Sequence, residues 1–224
     1  MEINDTSNLG FFIDSIPKQT KNGLEFLCNK TWLKNDGWYL AGGTALALQC
    51  GHRRSVDLDF FTQSKNFLPQ EVLKNLDVPE WETDIAKEGT IYGKLCQAKV
   101  SFIAYPFFLP KERYLMYGEV PILDSRDIAV MKIIATSQRG RKRDFVDLYW
   151  YCKNKEQLET VFLRLEKQYL HTEHNYQHIL KSLVYFDDAE EDPMPVLNFK
   201  VTWSEVKVFF ELEIPMIMKK YLDL

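Results

Sequence analysis

Two short motifs, on either side of residues 45–56, constrain the fold of this chain more than any other part of its sequence. An apolar run at residues 38–41 ends in Gly42-Gly43-Thr44, and a later apolar run contains Asp57-Leu58-Asp59. Paired glycines let backbone N–H groups approach an anion closely, and the start of the helix expected at 43–50 favours negative charge. The sequence therefore predicts a strand, an anion-binding turn, a helix and a second strand.

The second motif brings two carboxylates together. In a strand, residues i and i+2 share a face, so Asp57 and Asp59 point the same way. The apolar residues that alternate with them are expected to point into the core: Val56, Leu58 and Phe60. Neighbouring carboxylates repel each other unless a cation lies between them, and a hard divalent cation such as Mg²⁺ or Mn²⁺ prefers oxygen ligands. That metal would accompany a nucleoside triphosphate. The alternative is a pair of carboxylates that only form ion pairs with nearby basic residues.

Four ordered blocks resemble a known family. The diglycine motif and Asp-x-Asp resemble those of the nucleotidyltransferase superfamily of the polymerase-β type. The sequence of residues 51–61 resembles the AbiEii/AbiGii toxin family within it, which is found in bacterial abortive-infection and toxin–antitoxin systems. Two later blocks also match that family: Met-Lys-Ile-Ile-Ala at 131–135 and Lys-Arg-Asp-Phe-Val-Asp-Leu-Tyr at 142–149. The resemblance covers about residues 20–155 well and the last third loosely.

The resemblance implies an α+β fold, in which a polymerase-β-like mixed sheet with flanking helices precedes a C-terminal helical lobe. We expect the sheet lobe at 19–123 and the helical lobe, which completes the cleft, at 124–224. The implied activity is transfer of a nucleoside monophosphate from an NTP to a hydroxyl, on an RNA or tRNA end or on a protein, by a toxin with a cognate antitoxin. Two other classes stay open: a nucleotide-binding module that no longer catalyses, and an interaction protein.

The resemblance also suggests roles for individual residues. Asp57 and Asp59 would bind the metal, and the diglycine motif with Thr44 would hold the β- and γ-phosphates. Lys132 would act on the phosphates, although a surface lysine is the alternative. Asp144 would orient the base, activate the acceptor or position the lysine.

Basic residues flank these motifs. Arg53 or Arg54 could reach a phosphate while the other pairs with one of the two acids, and Arg53 is favoured. Arg143 belongs to the densest basic cluster of the chain, together with Arg139, Arg141 and Lys142. This cluster could hold the triphosphate or an RNA backbone, or it could be a solvated loop. Asp147 is expected simply to interact with the N-terminus of its helix.

One departure from the superfamily pattern concerns the third carboxylate, which often comes from a neighbouring strand. The expected strand at 99–103 carries Ser101 at that position, and serine is a poor metal ligand. Because the third carboxylate often serves as a base, Ser101 supports the non-catalytic alternative. Glu82 and Asp84 on the adjacent strand are possible substitutes.

Composition limits the remaining possibilities. The 224 residues, 46% of them hydrophobic, can bury a sizeable core, and a net charge of −4 argues against general nucleic-acid binding. We expect no signal peptide and no membrane span. We expect the four cysteines to be reduced and the location to be cytoplasmic. A zinc site on one helical face is conceivable for His171, His174 and His178, although surface histidines are the more common case.

Overall fold

The computed structural model describes residues 10–170 and 175–221. Within those residues, seven strands form one mixed sheet in the order β3-β4-β5-β2-β1-β7-β6. The strands are β1 (Trp38–Ala41), β2 (Leu58–Thr62), β3 (Trp81–Lys87), β4 (Thr90–Leu95), β5 (Ala98–Ala104), β6 (Leu115–Tyr117) and β7 (Val120–Ile122). The predicted mixed sheet of an α+β protein is confirmed.

Strand pairing brings distant parts of the chain together. β1 runs antiparallel to β2, and β2 runs parallel to β5. The alternation of residues 81–87 and the turn residues at 88–89 and 96–97 predict a meander of three strands, which the antiparallel β3-β4-β5 confirms. β7 lies parallel to β1 and antiparallel to β6. The acid-bearing strand β2 is therefore central in the sheet, with the meander on one side and β1 on the other.

Helices cover the sheet and continue beyond it. They are α1 (Lys18–Leu27), α2 (Trp32–Asn35), α3 (Gly42–Cys50), α4 (Pro69–Leu73), α5 (Ser125–Arg139), α6 (Lys142–Asn154), α7 (Leu158–Leu163), α8 (Leu165–Gln168), α9 (Tyr176–Ser182), α10 (Asp187–Glu190) and α11 (Trp203–Tyr221). Asp124 caps α5 by accepting a hydrogen bond from the Arg126 N–H at 2.8 Å, and Gly140 ends α5 in the left-handed conformation. After this short connection, α6 packs back against α5.

Several local predictions were wrong in their details. The apolar spacing of residues 19–34 predicts one helix, but the structure divides this segment into α1 and α2. The strand expected from Val56 begins at Leu58, and the Val56 side chain is 48% exposed instead of lying in the core. The acidic run at 187–192, which its charge predicts to be a solvated polar loop, has four exposed acids but contains one helical turn, and Asp192 pairs with Arg141 at 3.0 Å.

Two absences apply to the described part of the chain. None of its helices is both long enough and apolar enough to cross a lipid bilayer. Its four cysteines, at positions 28, 50, 96 and 152, form no disulfide.

Candidate active site

The diglycine turn joins β1 directly to α3. Gly42, Gly43 and Thr44 form the first turn of α3, and Ala41 at the N-cap provides no side-chain acceptor for their N–H groups. The first N–H groups of a helix lack intrahelical partners and carry partial positive charge. The turn therefore offers backbone donors to an anion.

This turn adjoins the acid pair. Gly42 has a φ of +71°, and a Cβ atom built on it would lie 3.2 Å from Oδ2 of Asp59. Ala41 and Asp59 are also directly paired between β1 and β2. A side chain at Gly43 would collide with the Arg53 guanidinium and lie 3.3 Å from the Ser55 hydroxyl. Glycine therefore suits position 42 for its backbone conformation, and it suits position 43 because a side chain there would displace the Arg53 guanidinium.

The two acids have different surroundings. Asp59 is half-buried in β2 and accepts a hydrogen bond from the Ser101 hydroxyl at 2.7 Å. Burial raises the pKa of Asp59, the charge of Asp57 adds to this rise, and Ser101 opposes it. Asp57 lies just before β2, and its carboxylate is 3.8 Å from the guanidinium of Arg143. Both acids are therefore held near the surface without a tight ion pair of their own.

Both acids line one cavity of about 400 Å³ between the sheet and α5. The strands, the loops beside them and the first turn of α3 contribute Gly42, Gly43, Arg53, Ser55, Asp57, Asp59, Phe61, Tyr92, Ile103 and Tyr105. The helical side contributes Ile128, Met131, Lys132, Ala135, Gln138, Arg139 and Arg143. The cavity therefore combines two carboxylates, several cations and an apolar surface.

A buried ion network supports the helical side. Lys132 and Arg139 lie seven residues apart on α5 and face α6, on which Asp144 and Asp147 lie three residues apart. The Lys132 ammonium is 2.7 Å from Asp144 and 2.5 Å from Asp147, and the Arg139 guanidinium is 2.7 Å from Asp144. Burial alone would raise the pKa of Asp144, but Lys132 and Arg139 hold it below its usual value. Both carboxylates therefore remain ionised and fix the lysine in place.

Asp147 lies at the centre of this network, and the sequence patterns did not indicate this role. Its carboxylate is fully buried and accepts hydrogen bonds from Nε and Nη2 of Arg53 at 2.5 and 2.9 Å. The His52 ring lies 2.8 Å away. Despite its burial, Arg53 and Lys132 hold the pKa of Asp147 well below the ordinary value. The i, i+3 spacing of the two acids on α6, opposite an i, i+7 pair of cations on α5, was the available signal.

Other expected contacts differ from the structure. Arg53 pairs with Asp147 and Arg54 is exposed, so neither arginine pairs with Asp57 or Asp59; the cation that faces Asp57 is Arg143. Arg53 nevertheless lines the cavity beside Gly43, while Arg54 lines a smaller adjoining cavity of about 290 Å³.

Thr44 also differs from expectation. Its hydroxyl is buried and hydrogen-bonds to the Asp57 carbonyl and, at 2.9 Å, to the Ser55 hydroxyl. This side chain therefore connects α3 to the segment before β2 and is not among those that line the cavity. Only the backbone N–H of Thr44 remains as a donor to a phosphate.

The donor set determines which metal the site could bind. Among the described residues, no group of three or more His, Cys, Asp or Glu side chains is arranged to hold a metal ion. Mg²⁺, however, is usually bound by one or two carboxylates together with waters and substrate phosphates. Asp57 and Asp59 beside an anion-binding helix start fit that requirement. Ser101 donates a hydrogen bond to Asp59, Glu82 pairs with Lys94 at 3.5 Å, and His171 and His174 lie outside the described residues.

The mixed sheet, with the diglycine turn and the acid pair at one cavity, agrees with the nucleotidyltransferase resemblance of the sequence. A sequence model described as "Nucleotidyl transferase AbiEii toxin, Type IV TA system" matches residues 26–92 and 97–216 of the chain. The chain therefore belongs to the AbiEii family of nucleotidyltransferase toxins, and it is a transferase.

Three other proteins are similar to this chain. An uncharacterized protein of Aquifex aeolicus is 35% identical over 192 residues, which cover 83% of this chain and 88% of the relative. A provisionally assigned nucleotidyltransferase from H. pylori has a TM-score of 0.54 at 19% identity, over 92% of this chain and 98% of that one. MenT4, a nucleotidyltransferase toxin of Mycobacterium tuberculosis H37Rv, has a TM-score of 0.54 at 15% identity, over 95% and 87% of the two chains. The two structures show that the fold is shared.

Proposed function

We propose that this protein transfers a nucleoside monophosphate from an NTP to an acceptor hydroxyl, in a reaction that depends on Mg²⁺ or Mn²⁺. The observation that carries the proposal is the shared cavity, in which the Asp59 carboxylate adjoins Gly42 and both Asp57 and Asp59 line the same space as cations from α5 and α6. We further propose that the sheet part (19–123) and the helical part (124–224) act as two lobes of this cleft. The biological role would be that of a toxin whose partner is a cognate antitoxin.

Each group would have a defined task. Asp57 and Asp59 would hold the metal, which when bound neutralises the triphosphate and favours departure of pyrophosphate. The first N–H groups of α3 would hold the β- and γ-phosphates. Lys132, Arg139 and Arg143 line the same cavity and would offset negative charge that develops on the transferring phosphate.

Asp144 is proposed as a positioning residue for Lys132. Its carboxylate is buried, paired with two cations and kept ionised, so it is poorly placed to accept a proton from an acceptor. Its contacts instead fix the Lys132 ammonium at the cavity wall. Of the three roles that the sequence left open for Asp144, positioning of the lysine fits these contacts best.

The decisive experiment has two parts. Isothermal titration with each NTP, with and without Mn²⁺, measures whether the cavity binds a metal–nucleotide complex. Incubation with labelled NTPs and total RNA, or with protein from the same cells, then measures transfer to an acceptor. Metal-dependent binding followed by labelling supports the proposal, whereas absence of NTP binding contradicts it.

A non-catalytic nucleotide-binding module is the second candidate. Ser101 favours it, because the Ser101 hydroxyl occupies the position from which a third carboxylate could act as a base. Tight NTP binding with no labelling of RNA or protein would support this candidate over the enzyme.

Lys132→Met should weaken triphosphate binding but not nucleoside binding. Loss of a charge-assisted contact is worth about 1.5–3 kcal/mol, or about 10- to 150-fold in affinity. The fold should survive, because Asp147 keeps Arg53 and Asp144 keeps Arg139 as cationic partners. Titration with an NTP and with its nucleoside measures the difference, and equal losses for both ligands would indicate general disruption instead.

Gly42→Ala should weaken metal-dependent NTP binding in a protein that still folds. The left-handed backbone conformation costs about 1–2 kcal/mol for alanine, and the new Cβ would also press on the Asp59 carboxylate at 3.2 Å. Gly37→Ala is a matched control, since Gly37 has a φ of +72° and a Cβ atom built on it would lie 3.9 Å from Oγ1 of Thr62, an ordinary contact distance. Both variants should have lower melting temperatures because they share the backbone strain, but only Gly42→Ala should also lose NTP affinity. Equal NTP affinity in both variants would contradict the role of the turn.

A further inference from the structure

One row of side chains crosses the sheet from the cavity to its edge. Asp59 of β2 is paired with Ser101 of β5, Ser101 with Tyr92 of β4, and Tyr92 with Ile85 of β3. Directly paired residues in neighbouring strands place their side chains on the same face of a sheet. The row therefore begins at the candidate metal-binding acid and ends on the edge strand.

The outer half of this row is open to solvent. Tyr92 is 41% exposed and Ile85 is 51% exposed, although both are large and apolar. Residues that point to the opposite face of β4 and β5 are buried: Ile91, Gly93, Leu95, Ala98, Val100 and Phe102. Tyr92 also lines the cavity, so the open part of the row and the cavity are continuous. With a strand spacing of about 4.8 Å, Tyr92 lies roughly 10 Å from Asp59.

Lysines surround the exposed tyrosine. Lys94 lies two residues beyond Tyr92 on β4 and is paired with Lys99 of β5, while Lys87 lies two residues beyond Ile85 on β3. Residues two apart in a strand share a face, so these three lysines, Tyr92 and Ile85 form one surface, which we call the open face. Glu82 offsets part of this charge, because it contacts Lys94 at 3.5 Å, but both side chains are well exposed and such pairs are weak.

We propose that the open face binds the single-stranded 3′ segment of an acceptor RNA, with its terminal hydroxyl directed towards Asp59. This inference rests on the proposed function and names its acceptor. Tyr92 would stack on a base, and the lysines would contact the neighbouring phosphates. The RNA must be single-stranded here, because a base within a duplex is already stacked on both sides.

The composition of the open face favours RNA over a protein partner. Lysine is depleted in protein–protein interfaces relative to the rest of the surface, whereas here lysines immediately flank the aromatic residue that would be the anchor. An aromatic side chain between cations on an exposed sheet is the arrangement that stacks bases and tracks a phosphate backbone. The chain has a net charge of −4, so this attraction is local to the face.

The test measures fluorescence anisotropy of a labelled single-stranded RNA oligonucleotide with the full-length protein and its variants. Tyr92→Ala should weaken binding about 5- to 150-fold through loss of stacking, and Tyr92→Phe should restore it. The double variant Lys94→Gln/Lys99→Gln should reduce the slope of log affinity against log salt by about 1.4, which corresponds to two phosphate contacts. Lys18→Gln/Lys34→Gln is the matched control, since both lysines are exposed on α1 and α2 and the charge change is the same.

Titration of the same variants with NTP separates the possible outcomes. Loss of RNA binding with unchanged NTP affinity supports the inference. Equal loss of RNA and NTP binding in Tyr92→Ala overturns it, because Tyr92 would then stack on the nucleotide base. Unchanged RNA affinity in the open-face variants, or binding of duplex RNA or only a protein partner, also overturns it and leaves the proposed function standing. Failure of the wild-type protein to bind any NTP overturns the proposed function and the acceptor role together.

Discussion

Asp57→Asn and Asp59→Asn should each lower the rate of nucleotidyl transfer by about 1000-fold or more. The metal that these carboxylates are proposed to hold supplies several kcal/mol of charge stabilisation in the transition state, and about 1.4 kcal/mol corresponds to a factor of ten in rate. Asparagine has nearly the same shape but lacks the negative charge. Transfer of label from an NTP at saturating Mg²⁺ measures the loss.

These substitutions should not unfold the protein. Burial raises the pKa of Asp59, so its ionised form is destabilising at neutral pH, and the neutral asparagine removes that penalty. The asparagine carbonyl can still accept the hydrogen bond from Ser101. We therefore expect the melting temperature of Asp59→Asn to equal or exceed that of the wild type, as is common where function depends on a destabilising residue.

Asp77→Asn is the control for these two variants, because Asp77 is exposed and remote from the cavity lining. It removes one negative charge and should leave transfer and metal-dependent NTP binding unchanged. Near-normal transfer by both Asp57→Asn and Asp59→Asn would exclude the acid pair as the metal site.

Local patterns were sufficient to predict the elements that carry the site. The apolar run before two glycines predicted β1 and the start of α3, and alternation predicted the meander that places Ser101 beside Asp59. Asp124-Ser125 as a cap and Gly140 as a helix end also predict a helix that runs to about residue 138, and α5 occupies this segment. In each case the signal lies within a few consecutive residues, where turn chemistry and periodicity determine the structure.

Contacts between distant residues were not predictable in the same way. Arg53 and Asp147 are 94 residues apart, and no pattern near Arg53 distinguishes a phosphate ligand from a buried ion pair. β6 and β7 have three residues each, and Pro121 in β7 conceals the strand because proline is uncommon in sheets. The segment before β2 is held out of the sheet by the buried Thr44 hydroxyl, so Val56 faces solvent. Such features depend on tertiary packing, which one sequence does not reveal.

Asp147→Asn should destabilise the protein by about 3–5 kcal/mol, since breaking a buried ion pair leaves an uncompensated charge. Asp147 is fully buried between Arg53 and Lys132, each only 4% exposed, and His52 is also in contact. An asparagine amide could not neutralise these cations. For a chain of this size the loss corresponds to a fall in melting temperature of about 6–20 °C.

Asp144→Asn is the matched comparison for Asp147→Asn, because it removes the other carboxylate of α6 but leaves its partners better compensated. Lys132 keeps Asp147, and the Arg139 side chain is 50% exposed and can be solvated. Both acids have pKa values below the ordinary 3.8 in the folded protein. Their contribution to the free energy of unfolding is therefore complete above pH 3.8, and it is lost as the pH falls towards their pKa values in the folded state. The wild type should therefore lose stability on acidification more steeply than Asp147→Asn. A smaller loss of melting temperature in Asp147→Asn than in Asp144→Asn would show that Asp147 is not the centre of the network, and that Arg53 is held beside the diglycine turn by other contacts.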